Sequence, residues 1–95
     1  IREALLLLAP MGLLSRPYRA ASTGARGGYQ FTWDSDANTT VTISKGAHRI
    51  DCWYTMCGNH RYGGIHATTL PALLAMDETR ARIAAVRAYA AGAWR

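Results

Sequence analysis

The sequence predicts an α+β fold, an antiparallel three- to four-stranded meander packed by a C-terminal helix, with a short N-terminal helix and a basic Gly/Arg arm. Three observations carry this reading. Apolar residues alternate with polar ones between Tyr29 and Tyr54. Turn-forming clusters interrupt that alternation. A long segment after Thr69 places its apolar residues at helical spacing. The chain has 95 residues, a one-domain length, divided into an apolar helix (1–14), a basic arm (15–28) and an α+β core (29–95).

Arg2–Leu8 consists of strong helix formers, and Pro10 and Gly12 end the helix. The apolar run from Ala4 to Leu14 is 11 residues long, too short for a transmembrane span, which needs about 20. Its leucines form a block without a 3.6-residue period, so the helix is expected to be covered by something. The following arm holds Pro17, Gly24, Gly27 and Gly28 with three arginines. The segment up to Gly28 also has the Arg-rich, acid-poor composition of an organellar transit peptide. Such a signal is normally removed, so the compartment is left open by the sequence, with an intracellular setting favoured over an organellar one.

In Tyr29–Trp33, Tyr29, Phe31 and Trp33 point one way and Gln30 and Thr32 the other, as in a half-buried strand. Asp34-Ser35-Asp36-Ala37-Asn38 is turn chemistry. It opens like a calcium loop, but Thr39 and Lys45 stand where such a loop needs glycine and glutamate. Thr39–Ser44 reads as a second strand, with Val41 and Ile43 inward and Thr40, Thr42 and Ser44 outward. Lys45-Gly46 is a tight connection. His48–Thr55 reads as a third strand, with Ile50, Cys52 and Tyr54 on one face and Arg49, Asp51 and Trp53 on the other. Gly58-Asn59 and Gly63-Gly64 suggest a loop over 57–64, and Ile65–Thr68 a short fourth strand. Thr69 caps a helix with Pro71 in its first turn. That helix either runs to Ala91, where Gly92 stops it, or restarts at Asp77. Leu73, Met76, Ile83, Val86 and Ala90 share its apolar arc.

The net charge is +5, and ten of the eleven cations are arginine, with Lys45 the exception. Residues 1–33 carry +3, residues 34–66 carry none and residues 67–95 carry +2. The positive potential therefore lies on the ends of the chain, where an anionic partner would meet it. Arginine pairs bidentately with phosphates and carboxylates and stacks on rings. Arg16, Arg19, Arg26, Arg49 and Arg61, with Trp53 as the outward-facing ring, form the candidate nucleic-acid-binding set. Tyr29, Trp33 and Tyr54 are assigned to the core. The expected function is that of a small non-catalytic binding module on an anionic partner, nucleic acid or a nucleoprotein assembly. A structural accessory subunit of a larger complex, bound through an anionic protein surface or through the apolar first helix, is the alternative.

Two further constellations carry chemistry. Cys52, Cys57, His60 and His66 fall in the order C-x4-C-x2-H-x5-H, four ligands of two types that zinc accepts in a tetrahedron. The competing expectation is a buried Cys52, an ordinary Cys57 and two surface histidines. Lys45-Gly46-Ala47-His48-Arg49-Ile50 resembles the glycine–small–histidine strand start of HicA-type mRNA interferases, which also end their small sheet with a helix. The resemblance covers six residues and implies a small histidine-dependent ribonuclease with His48 in the catalytic role. The arm and the first strand have no counterpart in it.

Overall fold

The computed structural model describes residues 2–22, 27–36, 39–56 and 60–93. Helix α1 spans Arg2–Leu8 and tightens into a 3₁₀ turn over Ala9–Met11. Pro10 is tolerated there, and Gly12 ends the turn in the left-handed region at φ 75°, its N–H donating to the Ala9 carbonyl at 3.0 Å. Five strands follow: β1 (Arg19–Ala21), β2 (Tyr29–Asp36), β3 (Thr39–Lys45), β4 (Ile50–Met56) and β5 (His60–Ala67). They form one antiparallel sheet in chain order. Helix α2 (Leu70–Leu74) and helix α3 (Asp77–Ala93) close the described chain.

The α+β class and the meander stand, with more strand than expected. Part of the arm pairs with β2 as β1, and residues 60–64 of the expected 57–64 loop belong to β5, with 57–59 outside the described residues. The third strand starts at Ile50, which leaves His48 and Arg49 in the connection. Asp34 and Asp36 lie in β2, with a register shift between them, while Asn38 is outside the described residues. The C-terminal helix breaks at Ala75–Met76 and restarts at Asp77. Thr69 does cap α2, its Oγ1 accepting from the Ala72 N–H at 3.3 Å. Gly92 does not stop α3, which continues to Ala93. Among the described residues no helix is long and apolar enough to cross a membrane.

The core lies on one face of the sheet. Tyr29, Phe31 and Trp33 form an aromatic ladder along β2, with ring centroids 5.5 and 5.9 Å apart. Val41, Ile43, Ile50 and Cys52 extend it across β3 and β4. Ala4, Leu8 and Leu13 cover it from the N-terminal side, and Leu70, Leu73, Ile83 and Val86 from α2 and α3. The indole N–H of Trp33 donates to the Leu13 carbonyl at 3.0 Å, satisfying the one polar group of the largest core side chain. The Tyr18 ring packs at a tilt against Phe31 and Trp33, at centroid distances of 5.7 and 6.3 Å, and borders the end of the core.

Arg82 fastens α3 to β4. Its buried guanidinium donates to the Cys52 carbonyl at 2.7 Å and to Glu78 at 3.1 Å, and lies 5.8 Å from the centroid of the Tyr54 ring. Charge-assisted bonds of this kind repay part of the desolvation of a buried cation.

Candidate binding face

All the described helices pack on the core face. Nothing described covers the other face, and alternation along the strands decides what it displays. The pairing arranges those residues in three rows across the sheet. One row is Ala21, Gln30, Ser44, Asp51 and His66. The middle row is Arg19, Thr32, Thr42 and Trp53. The third is Asp34, Thr40, Thr55 and Arg61. The open face is therefore a lattice of hydroxyls and one amide, with a tryptophan near its centre and charges at its margins.

Trp53 owes its position to a β-bulge. Between the pairs Cys52–Ile65 and Tyr54–Tyr62, β4 has Trp53 alone while β5 has Gly63 and Gly64. A Cβ placed on Gly64 would lie 2.7, 2.8 and 3.0 Å from three consecutive carbons of the indole six-membered ring. Such near-equal distances require a point over the ring face, because an in-plane approach would leave the outer two carbons clearly farther. The indole thus lies flat over the Gly64 backbone, a contact that glycine alone permits without displacing the ring. Beside it is a shallow cup of about 110 Å³ lined by Gln30, Thr42, Ser44, Trp53 and Thr55. Thr32 and Thr42 share an Oγ1–Oγ1 hydrogen bond of 3.1 Å across β2 and β3.

Two arginine–aspartate pairs are described at the margin. The Arg19 guanidinium is 3.7 Å from Asp34, and Arg49 Nε is 3.2 Å from Asp51. Both arginine side chains are more than half exposed, at 65% and 58%. Ion pairs this open to water are worth less than about 1 kcal/mol, so a phosphate can recruit either arginine at small cost.

The structure brings part of the expected nucleic-acid set together. Arg19 and Trp53 share the middle row, Arg61 occupies an open-face register position opposite Thr55, and Arg49 reaches the same face through Asp51. Arg16 lies apart, in the link between the 3₁₀ turn and β1, and Arg26 is outside the described residues. Gln30, Thr42, Ser44, Thr55 and Gly64 were not among the expected site residues. Their outward alternation, and a glycine pair near an outward tryptophan, were the available signals.

The expected zinc set does not assemble from the residues described. Cys52 is fully buried on the core face, whereas His66 is exposed and pairs with Asp51 on the open face. One ion cannot take ligands from both sides of a sheet. Burial pushes the Cys52 thiol up, against the opposing pull of Arg82, which disfavours the thiolate that a metal needs. Cys57 lies outside the described residues, and His60 is placed only by its backbone, opposite Met56. His48 is exposed in the β3–β4 connection.

Comparison with known protein families, with curated proteins and with solved structures finds no match to this chain.

Proposed function

We propose that the chain is a small non-catalytic binding module that holds an anionic partner, nucleic acid, against the open face of its sheet. One observation carries this reading. The helices crowd onto a single face and leave the other as a polar lattice with Trp53 and Arg19 in its middle row. The net charge of +5 supplies long-range attraction for a polyanion. Asp34 and Asp51 limit how many phosphates the face tolerates, so few contacts and a shallow salt dependence follow.

Fluorescence anisotropy with labelled RNA and DNA oligonucleotides tests the reading. Affinity is expected to fall with salt at a log–log slope of about −1.4, the value for roughly two phosphate contacts to a single strand. Arg19→Ala should make that slope shallower by about 0.7. Absence of binding even at low ionic strength rules the reading out.

A second reading, an accessory subunit of a protein complex, rests on Leu5 and Leu6 of α1, which are 39% and 67% exposed. An isolated chain that is monomeric and melts sharply counts against it.

A further inference from the structure

We infer that the cup beside Trp53 is a subsite for one unpaired nucleobase, which makes the ligand class single-stranded rather than duplex nucleic acid. This rests on the nucleic-acid reading above and narrows it.

The lining of the cup carries the inference. Its residues are an amide, three hydroxyls and an indole, and none is formally charged. Hydroxyls and amides both donate and accept, so together they match the mixed edge of a nucleobase. Among the described residues the cup is lined by no cation, which suits a neutral ligand edge better than a phosphate; the described cations Arg19 and Arg49 stand at the margin. The indole lies over the Gly64 backbone and also lines the cup. Aromatic rings stack bases with little regard to sequence. The middle row gives the direction. Arg19 and Trp53 are three strand spacings apart, about 14 Å at the usual 4.8 Å spacing. A backbone crossing the strands can therefore set a phosphate on Arg19 while a base reaches the cup. A duplex cannot do this, because its bases are stacked and their edges paired. Hydroxyls that serve as either donor or acceptor also imply weak preference among the four bases.

The test uses the full chain, a labelled mixed-sequence decamer of RNA, the same sequence as DNA, and each annealed to its complement. Single strands are expected to bind at least tenfold tighter than duplexes. Trp53→Ala should weaken single-strand binding about tenfold and leave duplex binding unchanged, while Trp53→Phe restores most of the loss. Gln30→Ala, at the opposite wall of the cup, should cut single-strand affinity severalfold and keeps the test decisive should Trp53→Ala misfold. Equal losses on single strand and duplex, or full retention in Trp53→Ala and Gln30→Ala, overturn the subsite while the module reading stands. Binding of neither probe at low salt overturns both. Binding of neutral cellohexaose in place of nucleic acid reassigns the cup to a sugar ring and likewise overturns the inference.

Discussion

The two faces of the sheet are built from the same strands and differ in every physical respect. On one face Tyr29, Phe31, Trp33, Val41, Ile43, Ile50 and Cys52 are all at most 2% exposed. On the other, Gln30, Thr32, Thr42, Ser44 and Trp53 sit one residue away along the chain and remain partly exposed. Trp33 and Trp53 condense the contrast. Trp33 is walled in by Phe31 and Tyr18, and its N–H bonds to Leu13. Trp53 rests on a glycine backbone and borders a polar cup. The fold invests its stability in one face, which leaves the other free to be specified by something besides folding.

The sharpest way to break this comparison is to truncate both tryptophans. Trp33→Ala removes the largest core side chain and should cost about 3–5 kcal/mol, read as a lower midpoint in urea. Trp53→Ala should cost about 1 kcal/mol or less; equal losses would mean that the open face is a second core.

A mid-sized effect comes from pH. Burial, with a smaller contribution from Glu3, raises the Tyr29 phenol to about 12. The unfolded phenol titrates near 10. The folded state therefore keeps its proton where the unfolded state has lost it. Stability should be intact below pH 10 and decline between pH 10 and 12. Tyr29→Phe should remove that part of the decline, and the difference between the two denaturation series isolates Tyr29 from other alkaline titrations.

The smallest effect is expected on the open face. Thr42→Val keeps the β-branched shape and loses the bond to Thr32. It should change stability by no more than about 0.5 kcal/mol, while binding falls if the cup is used.

Much of the fold was legible because period and packing agree. Arg2–Leu8, the β2–β3 pair and the Thr69 cap stand where alternation and capping chemistry put them. β1 was not legible: Arg19, Ala20 and Ala21 are all exposed, have no alternation and become a strand only by pairing with β2. The start of β5 was hidden by Gly63-Gly64, which have turn composition but form a bulge. The candidate face was legible only as a list of outward residues. Which of them become neighbours depends on the strand register, and register is a property of pairing rather than of any one strand. The separation of Cys52 from His66 was illegible for the same reason, because spacing along the chain is blind to the side of the sheet on which each emerges.

The bulge has a consequence for how the chain can change length. Opposite Trp53, β5 carries one residue more than β4, while on both sides of that point its positions alternate in phase with the partner strand. Loss of either Gly63 or Gly64 would restore a regular ladder, and Ile65 would still pair with Cys52 and Tyr62 with Tyr54. Loss of a residue within Ile65–Ala67 would put that phase out and exchange core for open positions. The sheet thus has a built-in joint where one residue can be lost without turning the strand over, at the point where the indole lies across it.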